Sequence, residues 1–330
     1  MVVELADPIL QSILLGSSYT LMAIGLTLTY AITRVPNFAH AEFITVGGYT
    51  AASFANSFGG LLAFGGGAYA AVVTGSFVVA FLVAAVIALA TDELVFKPLF
   101  RRGATPLHLL VASIGVGLVI RYILSIVVAS YDVLVLRSRI TKETLFAMAG
   151  APFTNLHAWA IPTTIAIAIG LHMLFTRTRL GKGTRAMASN FDLARIAGIR
   201  TTQVRRFTWF LAGGLAGLGG AFWSVNVPMT PETGWGILLW LFAASILGGF
   251  VSYWGTIAGG FVVGFAENLG ISVLHDAFGV SFSYRPMIAL VIIVLVFLLR
   301  PRGITGLTMP DLGGMMRKWL ARLRAAFGRG

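Results

Sequence analysis

The stretch Arg177–Arg206, RTRLGKGTRAMASNFDLARIAGIRTTQVRR, holds 8 of the chain's 24 Lys and Arg residues and separates two long apolar runs. Hydrophobic residues make up 57% of the sequence and charged residues 11%, and the mean hydropathy is +0.87. Because an unpaired charge costs several kcal/mol at the centre of a bilayer, charge in a membrane protein collects in loops. The pattern predicts a polytopic membrane protein in which this stretch is a large loop.

Nine apolar runs predict membrane-crossing helices, because roughly 20 apolar residues span the hydrocarbon core of a bilayer. We expect an all-α integral membrane protein, a polytopic bundle of eight to ten transmembrane helices. The run at 237–247 is short, and the boundaries near 34–48 are ambiguous. The runs are Ile9–Ile32, Phe43–Leu62, Tyr69–Ala90, Leu107–Val128, Trp159–Phe175, Phe207–Val225, Ile237–Leu247, Thr256–Leu274 and Met287–Leu299.

The distribution of basic residues predicts the orientation. Arg34, the 91–106 loop, the 177–206 loop and the tail after Leu299 carry 1, 3, 8 and 7 of the 24 basic residues. Cytoplasmic loops are enriched in Lys and Arg, so these segments are expected inside. Nine crossings satisfy this division, with the N-terminus outside and the C-terminus inside. The net charge of +12 then reflects topology and anionic headgroups, and nucleic acid is not expected as a partner.

Two organisational features follow from the same pattern. Residues 1–306 are expected to form the transmembrane domain, and residues 307–330 a basic amphipathic cytoplasmic tail at the membrane surface. Glycine pairs spaced by four, Gly213–Gly217, Gly255–Gly259 and Gly260–Gly264, predict close helix packing. On the outer side, the loops 130–157 and 225–235 are the surfaces that a docking protein would have to touch.

The sequence carries no pattern for bond chemistry. The Gly181-Lys182 pair is followed by Gly183, so it does not form an ATP-binding Walker A loop. The five histidines show no metal-ligand spacing, there is no cysteine, and no Ser-based catalytic motif is visible. We therefore expect no enzyme activity, no metal and no cofactor in this chain. An ATPase that drove it would be a separate polypeptide.

Polar residues within membrane spans are candidates for function. Glu267 interrupts the run 256–274, where it is either a pore-lining acid or an interhelical hydrogen-bond partner. Arg121 lies about 10 Å from the outer end of its run, where it either meets a substrate carboxylate or snorkels to the interface. The segment Asn37–Glu42, NFAHAE, follows Pro36 and includes His40. It predicts either a broken helix buried in the protein or a short cytoplasmic turn.

The loop 180–199, LGKGTRAMASNFDLARIAGI, has its own pattern. Gly181 and Gly183 are expected to interrupt a helix, and a short amphipathic helix is expected from Thr184 to a C-cap at Gly198. Such a helix either lies on the bilayer or docks in a groove of a partner protein through apolar anchors.

Several segments, in order along the chain, resemble the LivH-type permeases of branched-chain amino acid ABC importers. They are GSSYTLMAIGLTLTY at 16–30, PNFAHAE at 36–42, the loop 180–199, ASILGGFVSYWGTIAGGFVVG at 244–264 and LLRPRGITG at 298–306. Within the loop, the residues that match are Arg185, Ala186, Ala188, Ala194, Gly198 and Ile199. Asn190 stands where many members of the family have Asp, and Ala41 replaces a usual Gly.

The resemblance implies an importer built from two permease subunits, two cytoplasmic ATPases that hold ATP and Mg²⁺, and an external solute-binding protein in a prokaryotic plasma membrane. The second permease is either a related chain or a second copy of this one. Gly181–Ile199 is then the ATPase-coupling loop. Asn37, His40, Glu42, Glu267 and Arg121 are the candidates for the translocation pathway.

The function expected is import of branched-chain or related amino acids. Such permeases also serve other amino acids, amides and urea, so the substrate stays open. The alternative is an ion-coupled secondary transporter of a small polar solute, which would favour paired intramembrane acids and an internal repeat. A membrane scaffold or receptor is the third class.

Overall fold

The computed structural model describes residues 2–62, 66–140, 142–148, 150–299 and 303. The predicted amphipathic tail at 307–330 lies outside the described residues. Each of the nine apolar runs is helical, apart from a turn at Phe58. Two short strands in the loop 130–157 are the departure from an all-α chain, and they form an antiparallel hairpin.

The described elements follow the chain in this order. The helices are α1 (Val2–Thr33), α2 (His40–Ser57), α3 (Gly59–Leu62), α4 (Gly66–Thr91), α5 (Lys97–Arg101), α6 (Pro106–Ser130), α7 (Asn155–Arg177), α8 (Arg179–Ser189), α9 (Phe191–Ile196), α10 (Thr201–Asn226), α11 (Thr233–Leu247), α12 (Tyr253–Phe265), α13 (Ile271–Phe278) and α14 (Arg285–Leu299). The strands are β1 (Thr144–Met148) and β2 (Ala151–Thr154). Single π-helical turns, Asp92–Phe96 and Ala266–Gly270, join α4 to α5 and α12 to α13, and a 3₁₀ turn, Phe282–Tyr284, precedes α14.

Within the described residues, six helical segments are long and apolar enough to cross a bilayer. They are Ala6–Thr33, Gly66–Arg101, Pro106–Ser130, Asn155–Arg177, Tyr253–Phe278 and Phe282–Leu299. The shorter helix α11 is also apolar. The protein is therefore a multi-pass helical membrane protein.

The bundle has a buried centre and an apolar periphery. Helices α1, α2, α10 and α11 are largely buried, and they carry half of the buried polar side chains of the described residues and many glycines. Helices α6 and α14 expose most of their apolar side chains. Lipid tails are as apolar as leucine side chains, so a helix facing lipid stays apolar, while the central helices are held by close packing and hydrogen bonds.

The predicted glycine contacts are confirmed. A Cβ atom at Gly213 or Gly217 of α10 would overlap α4, and one at Gly259 of α12 would overlap the Ala244 carbonyl of α11. Gly260 and Gly264 pack in the same way against α1. The absence of a side chain at these positions lets the helix backbones touch, which is how small residues stabilise helix pairs in membranes.

Contacts at the two ends agree with the division of charge along the sequence. At one end, the loops 130–157 and 225–235 are joined by reciprocal backbone hydrogen bonds between Leu136 and Met229, of 2.9 and 2.8 Å. At the other end, the Arg34 guanidinium donates to the Ala188 carbonyl of α8, and Arg205 of α10 pairs with Asp92. Segments assigned to one side therefore meet at one end of the bundle.

Candidate functional site

The chain between α1 and α2 turns back into the bundle. Arg34 has a left-handed backbone with φ of +57°, and the chain then runs through Pro36 to the start of α2 at His40. The His40 Nε2 atom lies 2.9 Å from the Met22 carbonyl oxygen, and Met22 precedes the end of α1 by about 16 Å of helix. Asn37, Ala39 and His40 are buried. This placement favours the broken helix over the surface turn.

Some polar atoms of this buried segment form hydrogen bonds, and several others have no hydrogen-bond partner. Phe38 donates its backbone N–H to Ser113 Oγ at 3.2 Å, and Ala39 donates to Asn37 Oδ1 at 3.1 Å. Asn37 Nδ2, His40 Nδ1 and Glu42 Oε2 are buried and have no hydrogen-bond partner among the described residues. Buried polar atoms normally have partners, so a run of such atoms in one segment marks a candidate solute contact.

Arg121 of α6 is paired with Glu42 of α2. Its Nη2 and Nε atoms lie 2.5 and 3.1 Å from Glu42 Oε1, and the two side chains are 13% and 1% exposed. The guanidinium also lies over the Trp235 ring, 5.1 Å from its centroid. The snorkelling interpretation of Arg121 is therefore wrong, because the side chain reaches a buried carboxylate. Both residues were predicted pathway candidates, but their pairing joins positions 79 apart in the chain and has no local sequence signal.

Glu267 has different partners. It lies in the π-helical turn Ala266–Gly270, and its Oε2 atom accepts a hydrogen bond of 2.5 Å from the Tyr19 hydroxyl of α1. The Tyr19 ring stacks against Trp223 and Trp240, with centroids 5.9 and 6.2 Å away. This contact agrees with the interpretation of Glu267 as an interhelical hydrogen-bond partner. The predicted pathway residues thus divide into a group around Glu42 and a separate contact at Glu267.

The 177–206 loop folds into two short helices, α8 and α9. The prediction that Gly181 and Gly183 interrupt a helix is wrong, since α8 runs through both. A Cβ atom at Gly181 would overlap the Leu174 carbonyl, so this glycine lets α8 fold back against the end of α7. Asn190, with extended backbone, ends α8 and caps α9 by accepting a hydrogen bond from Leu193 N. The single amphipathic helix predicted from Thr184 to Gly198 is therefore two helices, α8 and α9.

The predicted C-cap at Gly198 is confirmed. Its φ is +80°, and Ile199 donates its backbone N–H to the Ala194 carbonyl at 3.1 Å. A left-handed residue at this position favours glycine. The end of α9 is therefore determined by the sequence.

Burial divides the predicted coupling residues into two sets. Gly181, Ala188 and Ala194 are buried, and Ala186 and Ile199 are partly buried. Of these, Ala186, Ala194 and Ile199 belong to a cluster that packs α8 and α9 on Ile32 and Val204, at the ends of α1 and α10. Arg185, Asn190 and Gly198 are exposed. The exposed apolar face of α9 consists of Leu193 and Ile196, which are 64 and 83% exposed, and Phe191, 41% exposed, lies on another side of the helix. None of these three was named individually among the predicted coupling residues, although all lie within Gly181–Ile199.

Ion pairs stabilise this end of the bundle. Arg205 donates from Nε to both oxygens of Asp92, each at 2.9 Å, and from Nη2 to Oδ1 at 2.5 Å. Arg206 and Lys97 both pair with Glu93. These contacts connect the π-helical turn after α4 to the start of α10. The α8–α9 unit therefore packs against the start of α10, which these ion pairs hold in place.

A central bundle with buried polar groups, exposed apolar outer helices and a folded loop domain at one end is typical of a membrane transport protein. Within the described residues, no cluster of three or more potential metal ligands is present. The chain belongs to the family of permease components of branched-chain amino acid transport systems, whose family model matches residues 9–299.

Individual relatives agree with this assignment. The chain is 34% identical over 308 residues to the probable branched-chain amino acid transport permease protein LivH of Methanocaldococcus jannaschii, covering 89% of this chain and 90% of that protein. It is 27% identical over 303 residues to the high-affinity permease LivH of Escherichia coli K12, covering 90 and 94%. It is 26% identical over 307 residues to BraD of Pseudomonas aeruginosa, again covering 90 and 94%. No solved structure matches the chain.

Proposed function

We propose that this chain forms half of the translocation pathway of an ATP-binding cassette importer for branched-chain or related amino acids. Family membership supports the transport function, since the relatives are branched-chain amino acid permeases. The α8–α9 unit is the observation that carries the mechanism. It is packed firmly on α1 and α10 while the apolar face of α9 stays exposed, as expected of a helix that docks in a groove of a partner.

The partners are those that the mechanism needs. Two cytoplasmic ATPases bind ATP and Mg²⁺ and hydrolyse the ATP, and force reaches the bundle through Gly181–Ile199. A second permease, either a related chain or another copy, supplies the other half of the pathway. An external binding protein docks on the joined loops 130–157 and 225–235.

We further propose nine crossings, with the N-terminus outside and the C-terminus inside a prokaryotic plasma membrane. The contacts among basic segments at one end support this topology, because Lys and Arg accumulate in cytoplasmic loops. Helices α2, α10 and α11 add three crossings to the six apolar segments. The family assignment gives no support to an ion-coupled carrier.

The test is a pair of apolar-to-acidic substitutions at opposite ends of the protein. Ile196→Glu places a charge on the exposed face of α9, and Val135→Glu does so in the loop at the other end, where Val135 is 67% exposed. With an affinity tag and mild detergent, we expect Ile196→Glu to lose the co-purifying ATPase and ATP-dependent leucine uptake, and Val135→Glu to retain the ATPase.

Equal ATPase recovery from the two variants would contradict the coupling role of α9. A homo-oligomer without any ATPase, reproduced in a lipid-preserving extraction, would contradict the ABC mechanism as a whole. Ala194→Glu is a weaker test, because Ala194 is 4% exposed and a buried charge would damage the packing of α9 itself.

A further inference from the structure

Aromatic rings form a continuous line along one side of α11. The centroid of Trp235 lies 6.1 Å from Phe38, which lies 5.2 Å from Phe242. Phe242 lies 6.4 Å from Phe250, and Phe250 stacks on Tyr30 at 4.1 Å. Trp235 begins this line near the start of α11, and Phe250 follows the end of that helix. The rings therefore line the length of α11 and the turn that follows it.

The line is a surface and not part of the hydrophobic core. Trp235 is 44% exposed, and the other four rings are partly exposed. The opposite side of α11 carries Ile237, Trp240 and Leu241, which are buried. The rings come from α1, α11 and the segments that follow each of these helices, so a single helix does not explain them.

A charged group lies at the same surface. Trp235 carries the Arg121 guanidinium on its face, with the guanidinium 5.1 Å from the ring centroid. Arg121 bonds Glu42 through Nε and Nη2, which leaves its Nη1 donors unused among the described residues. Glu42 Oε2 is also unused. Ionisable groups within a membrane face protein or a water-filled cavity, so this surface does not face lipid tails.

We propose that the aromatic line Trp235–Phe38–Phe242–Phe250–Tyr30 is the wall of the translocation pathway and carries the apolar part of the solute. Arg121, at the Trp235 end, is 13% exposed and meets the carboxylate of an amino acid with its unused Nη1 donors, while the buried Glu42 holds the guanidinium in place. Flat rings at 4–6 Å spacing bind apolar side chains without directional bonds, so a solute moves along them without a deep binding minimum. The proposal rests on the proposed function and assigns a surface and a solute class to it.

The chain contains no cysteine, which makes the test direct. Phe38→Cys and Phe242→Cys place single thiols on the line, and Phe297→Cys places one on α14, where Phe297 is 55% exposed on an apolar helix. Each variant is expressed with the co-purifying ATPase and permease, reconstituted into liposomes, and treated with a charged, membrane-impermeant methanethiosulfonate reagent.

We expect the thiols at positions 38 and 242 to react at least tenfold faster than the thiol at 297. We also expect ATP with leucine-loaded binding protein to change their reaction rate, and labelling to block uptake. Equal rates at all three positions would overturn the proposal. Rates at 38 and 242 that do not respond to turnover would overturn it too, because a pathway wall is exposed in alternation.

Misfolding is controlled by requiring each variant to retain the ATPase in stoichiometric amount before labelling. If a phenylalanine variant fails this requirement, Trp235→Cys replaces it, since Trp235 already has 44% of its surface exposed. ATP-dependent uptake by the unlabelled complexes tests the proposed function separately. If the variant complexes transport leucine but their thiols do not react, only the proposed aromatic pathway is wrong. If the unsubstituted complex does not transport leucine, the proposed importer function itself is wrong.

Discussion

Arg121 and Glu42 form an ion pair between α6 and α2, with Arg121 Nη2 2.5 Å from Glu42 Oε1 and the Glu42 side chain only 1% exposed. Helix α6 is otherwise an exposed apolar helix. The pair therefore anchors a peripheral helix to the centre of the bundle. It does so next to the buried break between α1 and α2, where polar atoms without partners lie.

Removing the cation from this pair is expected to destabilise the protein strongly. Arg121→Gln leaves a buried carboxylate without compensation, and losses of about 3–5 kcal/mol are typical when one partner of a buried pair is removed. Adding Glu42→Gln to Arg121→Gln removes the stranded charge and is expected to recover most of that loss. Thermal unfolding in detergent, followed by size-exclusion chromatography, measures both variants. Additive losses in the double variant would contradict the buried pairing.

The neighbouring residues Arg205 and Arg206 of α10 are expected to differ in how much they contribute to the stability of the protein. Arg205 pairs with Asp92, whose side chain is 0% exposed, whereas Arg206 is 53% exposed and pairs with Glu93. We expect Arg205→Ala to cost about 3–5 kcal/mol of stability. Arg206→Ala is expected to cost far less, since exposed pairs contribute little to stability. The same unfolding assay compares the two, and equal losses would show that the Asp92 contact is not structural.

Close packing of α10 on α4 is tested at its glycines. Gly217→Val places a branched side chain where even a Cβ atom would overlap Ala84 and Ala80. Overpacking of this kind costs about 1–3 kcal/mol or more. Gly115→Val in α6 is the matched control, because nothing lies within 4 Å of a Cβ atom there. We expect a lower unfolding temperature for Gly217→Val alone, and similar values for the two variants would contradict the backbone contact.

The role of Glu267 is tested through its hydrogen bond. Tyr19→Phe removes the donor and strands a buried carboxylate oxygen, with an expected cost of about 1–3 kcal/mol. Glu267→Gln keeps an acceptor for the Tyr19 hydroxyl and is expected to cost less and to retain uptake. Unfolding temperature and leucine uptake in proteoliposomes measure both. Loss of uptake in a stable Glu267→Gln variant would contradict a purely structural role for this carboxyl.

Part of this structure could be predicted from local sequence. The apolar runs are helices, as expected from lengths that match the thickness of the bilayer. The glycine pairs pack as expected, because a spacing of four places both glycines on one helix face. The C-cap at Gly198 followed from the tolerance of glycine for positive φ. Of the segments grouped by their basic residues, Arg34, the 91–106 loop and the 177–206 loop are in contact, while the sidedness of the membrane topology stays a prediction.

Other features had no local signal. Glycine weakens isolated helices, so Gly181 and Gly183 predict an interruption, but contact with the end of α7 decides the outcome at Gly181. The local sequence does not distinguish the buried side chain of Ala194 from the exposed Ile196 two positions on.

By itself, the sequence determined that the chain crosses a membrane many times and which family it resembles. The first depends on composition within short windows, where the cost of burying charge in lipid dominates, and the second on motifs that occur in order along the chain. Only the tertiary structure decided that Arg121 meets Glu42, that Tyr19 holds Glu267, and that rings from distant segments form one line. Those contacts join residues far apart in the chain. They form because each polar group buried between the central helices needs a hydrogen-bond partner, and few partners lie within reach.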